Sequence, residues 1–290
     1  MSKKVFLLGI GCQKGGTTWL SRYLDGHPNF DIGFRKEYHL FDGLFLPEMR
    51  GRKAQIMNHA EEQLRKLGAG DKADWRALRR AEFYARPDSY FEYFHTLSNA
   101  DPGIRGVCDI TPSYAVLPAA RLAYIRKKIV GYGFRVRVIF FLRDPVDRVI
   151  SVTKQSRKKR RSSTKKVGTS LDHDVLRMHS SESCAMRTDY LRTLNNVGKV
   201  FPKKEVLVDL FENIFDEDRV ERITRFLGIP FIDPQLAKSV KKTFSDEVVF
   251  ETTKDIIATF YQSQYEYVAK EFPELNTAEK WRSVKNVAYN

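Results

Sequence analysis

Cysteine is scarce in this chain. Cys12, Cys108 and Cys184 are its only three, far apart among 290 residues, and no CxxC pair occurs. That argues against a disulfide framework and against a cysteine zinc site, and makes a reducing compartment the simpler expectation. Long apolar runs are also missing. The first, "VFLLGI", covers 5–10, short of the roughly 7–15 residues of a signal-peptide core. No stretch approaches the about 18 apolar residues of a membrane-crossing helix. We therefore expect a cytoplasmic protein with no transmembrane segment. No internal repeat is present. Acidic residues are absent from 154–166, "KQSRKKRRSSTKK", and this is the only low-complexity segment.

The charge follows from that last absence. Lys and Arg number 50 against 36 Asp and Glu, a net +14; removing the eight positive charges of 154–166 leaves +6. A basic surface attracts nucleotides, glycans with acidic groups, anionic lipid or nucleic acid, but most of the excess here is one local feature. Two readings stand for it: a solvated loop, or a lid or tether for an anionic acceptor. A chain with 42% hydrophobic residues has enough apolar side chains for a core, and its length suits one α/β domain over 1–290 with a basic insertion at about 154–170.

Strands and helices alternate along the chain. "VFLLGI" reads as a strand buried on both faces, and "TTWLSRYLDG" as a helix stopped by Gly26 and Pro28. Residues 52–100 read as polar helices, with Asp88 as an N-cap. "GVCDI" (106–110), "RVRVIFFL" (135–142) and "EVLVDL" (205–210) read as further strands. Helices follow at "PAARLAYIRKKI", "RDPVDRVISV", "DEDRVERITRFLG" and "TKDIIATFYQSQYEYVAKEF". This order predicts an α/β fold, a central parallel sheet flanked by helices.

Between the first strand and helix lies "GIGCQKGGTTWL" (9–20). Glycines, a lysine and two threonines at a helix start make an anion site, because backbone N–H groups and the helix dipole both face the ligand. The order is not that of a nucleotide kinase, whose loop ends Gly-Lys-Ser/Thr; Lys14 precedes Gly15 and Gly16. A second cation, Arg143, ends "VIFFL", where α/β sheets bind ligands. Asp144, Arg148 and Ser151 follow at helical spacing, so that Arg143 and Ser151 are placed to clamp a second phosphate. In "KEYHLFD" (36–42), an extended backbone puts Glu37, His39 and Phe41 on one side, a carboxylate beside an imidazole, suited to proton transfer. Tyr90, Phe91, Tyr93 and Phe94 either line an acceptor cleft or build core.

"GIGCQKGGTTWLSRYLDGHPNF" resembles the 5′-phosphosulfate loop of sulfotransferases, and "FFLRDPVDRVIS" their 3′-phosphate element. "RKEYHLFD" and "DITPSYAVLP" are similar to segments of the heparan sulfate type and its bacterial relatives. The resemblance spans roughly 4–272. It implies a P-loop-like sulfotransferase fold and transfer of a sulfuryl group from 3′-phosphoadenosine 5′-phosphosulfate (PAPS) to a hydroxyl or amine by in-line displacement, without a metal. It implies that Lys14, Gly15, Gly16, Thr17, Thr18 and Trp19 hold the 5′ end of PAPS, and Arg143 and Ser151 the 3′-phosphate. Lys14 would also stabilise the leaving group, and Glu37 or His39 would be the base. Lys36, His39, Asp42, Thr111 and Tyr114 would lie on the acceptor side. The acceptor would be a small molecule, glycan or lipid, with no specific nucleic acid. Two departures stand out. Ile110 occupies the position of a lysine that precedes Thr-Pro in the heparan sulfate enzymes. No late Lys-Gly-Arg element is found, and Lys238, Lys241 and Lys242 are its nearest substitutes. A nucleotide-dependent kinase or phosphotransferase, and a non-catalytic polyanion binder using 154–166, are the rival readings.

Overall fold

A computed structural model describes residues 3–162, 168–234 and 247–286. The chain opens with strand β1 (Val5–Gly11) and helix α1 (Thr17–Asp25), then β2 (Phe30–Asp31), α2 (Leu40–Phe45), α3 (Arg50–Gly68), α4 (Trp75–Ala85), α5 (Asp88–Asn99), β3 (Gly106–Asp109) and α6 (Ala119–Gly131). It continues through β4 (Arg135–Leu142), α7 (Pro145–Ser162), α8 (Leu171–His179), α9 (Glu182–Thr188), α10 (Tyr190–Gly198) and β5 (Val206–Leu210). Helices α11 (Glu217–Leu227), α12 (Glu251–Phe260), α13 (Gln262–Glu271) and α14 (Thr277–Lys280) follow.

The five strands form one parallel sheet in the order β2-β3-β1-β4-β5. Central strand β1 alternates its side chains between two cores, as a pleated strand must. Phe6, Leu8 and Ile10 enter one, with Val136, Val138, Phe140 and Leu142 of β4. Val5 and Leu7 enter the other, with Trp19 and Leu20 of α1 and Ile223 of α11. Both faces are covered, which explains why these strands read as continuous apolar runs. Connections from β1 lead to one side of the sheet and those from β4 to the other. The crevice beyond their carboxyl ends is therefore the topological switch point, where open α/β sheets bind ligands.

Several expectations need correction. The basic run is not a loop as far as Ser162: α7 continues through it. Arg157 is only 4% exposed and its guanidinium pairs with Asp174 and, at 3.0 Å, Glu247. Arg160 meets Asp174 at 2.9 Å and Arg161 meets Glu247 at 2.7 Å. Charges uncompensated in sequence are thus compensated in space by acids from distant segments. Residues 163–166 of that run, and Lys238, Lys241 and Lys242, lie outside the described residues. Tyr90, Phe91 and Phe94 are core, packed in edge-on and tilted pairs around Phe6 and Phe41. Asp88 is the first residue of α5 rather than its cap, and it pairs with Lys128 at 2.6 Å. The single helix expected over 253–272 is two, parted at Tyr261, whose hydroxyl donates to the His179 carbonyl.

Arg157→Ala should destabilise the fold by about 1–3 kcal/mol, since it removes a buried partner of Asp174 and leaves that carboxylate to Arg160 and Thr169. Lys158→Ala, exposed one residue away, should change stability by less than about 0.5 kcal/mol. Urea unfolding of the two variants checks the contrast; equal midpoints would contradict it.

Candidate functional site

The loop leaving β1 is tied down by backbone contacts. The Cys12 N–H donates to the Phe141 carbonyl at 2.7 Å, and the Gly15 N–H to the Cys12 carbonyl at 3.0 Å. Gly15 has no room for a side chain: a Cβ there would lie 2.7 Å from Cys12 Sγ. Gly16 caps α1 at φ +87°, and its Cβ would meet Ile214 Cδ1 at 2.3 Å. Only glycine serves at this left-handed, crowded position. No side chain caps α1; the Trp19 and Leu20 amides donate to the Gly16 carbonyl, which leaves those of Thr17 and Thr18 as the first-turn amides without an acceptor among the described residues.

Cations converge on that turn. An Arg143 Nη donates to the Lys14 carbonyl at 2.8 Å, and its guanidinium lies over the Phe211 ring at 4.5 Å. Its Nε is buried with no partner among the described residues. Lys36 Nζ donates to Thr17 Oγ1 at 3.3 Å and Thr18 Oγ1 at 3.2 Å. Burial, then the charges of Arg143, Lys36 and Lys159, hold the Lys14 ammonium below the usual lysine range. Lys159 belongs to the basic run, so that run bears on the loop through α7. Sequence reasoning missed this contribution; its signal is the spacing of eight from Ser151, about two helical turns along α7. Ser151 itself is half-buried.

Beside the loop runs a chain of ionisable groups. Glu37 Oε1 accepts from Lys36 at 2.8 Å and its Oε2 meets His39 Nε2 at 3.1 Å. His39 Nδ1 meets Asp42 Oδ2 at 2.6 Å. Asp42 is wholly buried and also accepts from the Ser113 hydroxyl and, at 2.9 Å, the Gly43 N–H. The backbone is not extended here, because His39 adopts φ 55° at the N-cap of α2. Glu37 and His39 meet nonetheless, while Phe41 turns into the core. Burial favours a neutral imidazole, but the hydrogen bonds to Asp42 and Glu37 outweigh it and raise the His39 pKa. Burial likewise works against the Glu37 carboxylate, yet the bonds from His39 and Lys36 pull it down to about 2. His39 thus lies between two carboxylates, an arrangement that favours the protonated ring, in which both nitrogens donate.

Other expected residues sit behind this surface. Thr111 and Tyr114 are buried, so an acceptor does not reach them. The Thr111 hydroxyl donates to Asp109 at 2.5 Å and accepts from the Tyr38 N–H at 3.1 Å. The Tyr114 hydroxyl donates to Asp109 at 2.8 Å and accepts from the Leu40 N–H at 3.2 Å. Both fix the backbone around Glu37 and His39. Burial pushes Asp109 up to about 6, against the hydrogen bonds of Thr111, Tyr114 and Tyr90. Trp19 is core, its ring stacked on Tyr23, and its backbone N–H donates to the Gly16 carbonyl at 2.8 Å. Arg148 is fully buried and holds the Cys184 carbonyl and the Thr188 hydroxyl. Asp144 accepts from the Tyr265 hydroxyl at 2.7 Å and the Ser283 N–H at 2.9 Å. It is thus buried and committed to bonds within the protein. Ser113 and Asp109 were missed as site residues, although "DITPSYAVLP" contains both.

The fold is that of an α/β protein of the P-loop-like class, with cations gathered at the loop and a carboxylate–imidazole pair beside it. The family model described as "Sulfotransferase family" matches residues 7–233, and the chain belongs to that family of transferases. A sulfotransferase from Alicyclobacillus acidocaldarius is similar in structure, with a TM-score of 0.54 at 19% identity over 93% of this chain and 95% of that one. At that identity the likeness speaks for the fold. The sulfotransferase domain of the Synechococcus PCC 7002 olefin synthase gives 0.46 at 17%, covering 89% and 94%. A Mycobacterium avium sulfotransferase gives 0.47 at 15%, covering 93% and 77%. No curated protein matches the sequence. Among the described residues no helix is long and apolar enough to cross a membrane.

The electrostatics of His39 are directly measurable. Its pKa should lie above the ordinary 6.5 by NMR titration. Asp42→Asn should lower it by about one unit or more, since an acidic neighbour favours the charged ring. A value unmoved by that substitution would contradict the pairing.

Proposed function

We propose that this protein transfers the sulfuryl group of PAPS to an acceptor hydroxyl, with Glu37 as the base. The observation that supports this most is Lys36, one ammonium touching both the loop threonines and the Glu37 carboxylate. The anion site and the base are thereby one side chain apart.

The donor set suits a nucleotide with phosphates at both ends. Lys14, Lys36 and the uncapped first turn of α1 suit its 5′ end. Arg143, with its unpartnered buried Nε, and Ser151 and Lys159 on α7 suit its 3′-phosphate. When bound, PAPS supplies the sulfuryl group and a bisphosphate leaving group. Lys14 offers its ammonium where negative charge develops at the loop. Its proton affinity, lowered by burial and by Arg143, recovers when an anion neutralises the cluster.

Glu37 is the better base because the two carboxylates that flank His39 favour its protonated ring, which has no lone pair to accept with. His39 and Asp42 are positioning residues: Asp42 orients the ring, and the ring orients Glu37. A carboxylate at about 2 is a weak base while Lys36 holds it. An anion at the loop draws Lys36 toward Thr17 and Thr18, and the Glu37 pKa then rises toward that of an ordinary carboxylate. Catalytic basicity is in this way tied to an occupied loop.

Adenosine 3′,5′-bisphosphate should raise the melting temperature by mass action, and adenosine 5′-monophosphate much less. An equal shift from both would overturn the two-phosphate reading. Lys14→Ala should lower turnover by ~10²-fold or more, the scale for a lost charge-stabilising donor.

The pH–rate profile separates the two bases. Glu37 is ionised throughout the neutral range, so turnover should show no acid limb there. With His39 as base, the rate would instead climb as pH rises through its raised pKa. Glu37→Gln should abolish turnover while leaving nucleotide affinity in place.

A further inference from the structure

Three arginines meet on the acceptor side without an acid between them. Arg35 precedes the Lys36–Glu37 pair. Arg52 and Gln55 lie on α3, with His59 one turn further along the same face. Arg80 reaches in from α4. Together they rim a cavity of about 250 Å³ floored by Ile56 and Ala77. Arg80 donates to the Tyr38 carbonyl at 3.2 Å, between Glu37 and His39 in the chain. Arg52 is near enough to oppose protonation of His39. The recess therefore adjoins the Tyr38–His39 stretch that follows Glu37.

Its charge is uncompensated. Among the described residues no carboxylate pairs with Arg35, Arg52 or Arg80; Glu62 meets only the rim, 3.7 Å from His59. The Nε of Arg80 is buried and has no partner. Burial, then the charge of Arg35, pushes Arg80 down to about 10. Arg79, Arg86, Arg126 and Arg157 find acids, and Arg137, Arg148 and Arg192 hold carbonyls one at a time; the recess is distinct in gathering three arginines around one cavity. Like charges held together with an orphaned buried donor are unfavourable unless an anion joins them, and guanidinium forks match oxyanions bidentately.

We propose that this recess binds an oxyanion group of the acceptor itself, so that the substrate is a hydroxyl compound already carrying a sulfate, phosphate or carboxylate. The site rests on the sulfuryl-transfer reading for its meaning, but its binding does not. The five side chains would seat the anionic group while the acceptor hydroxyl lies at Glu37. Arg157, Arg160 and Arg161 of the basic run, by contrast, are paired with Asp174 and Glu247.

The test uses the whole protein, labelled with ¹⁵N and saturated with adenosine 3′,5′-bisphosphate so that the loop is filled. Methyl sulfate, methyl phosphate and acetate are titrated, with glycerol as the neutral control, following the Arg80 Nε–H resonance. At least one anion should shift that resonance to saturation, and glycerol should not; the anion that binds tightest identifies the group. The Arg35→Gln/Arg52→Gln variant should weaken binding at least tenfold. Both side chains are exposed and free of ion pairs, so the fold should survive. Arg35→Lys/Arg52→Lys should recover part of the affinity. An unaltered titration in the Gln variant, or equal response to glycerol, would overturn the proposal. Repeating the titration without nucleotide separates the two ideas. Failure of adenosine 3′,5′-bisphosphate to bind would count against the transfer reading, while the anion response at Arg80 would still stand or fall alone.

Discussion

The pairing of β1 with β4 is the constraint on which the site depends. Their parallel register sets Gly11 opposite Phe140, and the Cys12 N–H closes onto the Phe141 carbonyl. Two loops distant in sequence therefore leave the sheet side by side. Lys14 and Arg143 are brought together by that register, and Arg143 then secures the loop through the Lys14 carbonyl. A slip of one residue would reverse every β1 side chain between the two cores. The hydrophobic alternation that stabilises the sheet thus also aligns the cations.

Electrostatics explains the rest of the arrangement. Lys14, Lys36, Arg143 and Lys159 crowd one turn, while Glu37, His39 and Asp42 alternate in sign beside it. Lys36 belongs to both groups. Behind them a wholly buried layer of Asp109, Thr111 and Tyr114 fixes the backbone that bears Glu37 and His39. Preorganisation of this kind spares the site from reordering its dipoles when charge develops. The arginine recess between α3 and α4 extends the positive field to the far side of the base.

Much of this was legible in the sequence where local rules apply. β4 was readable residue for residue, because a buried parallel strand is one apolar run ending at a charge. The loop was readable because Gly15 and Gly16 are required by backbone geometry next to a helix start. Glu37 and His39 were readable as neighbours, although His39 meets Glu37 through a left-handed turn rather than an extended strand. Tertiary pairing was not legible. Nothing in "KQSRKKRRSSTKK" indicates that Asp174 and Glu247 neutralise Arg157, and so a helix read as a loop. Thr111 and Tyr114 sit in the right segment but point inward, because Asp109 needs their hydroxyls. The recess joins Arg35, Arg52 and Arg80 from three elements, and only packing of α3 on α4 brings them together.

The central claim is that an anion at the loop frees Glu37 from Lys36. The most direct measurement is the Glu37 carboxylate pKa, followed by ¹³C NMR on side-chain-labelled protein, with and without adenosine 3′,5′-bisphosphate. Without the nucleotide the account predicts a value near 2. With it, the value should rise by about one unit or more as the neighbouring positive charge is withdrawn, and in Lys36→Met it should be high in both states. A Glu37 pKa that stays the same on nucleotide binding in the wild-type protein would contradict the account.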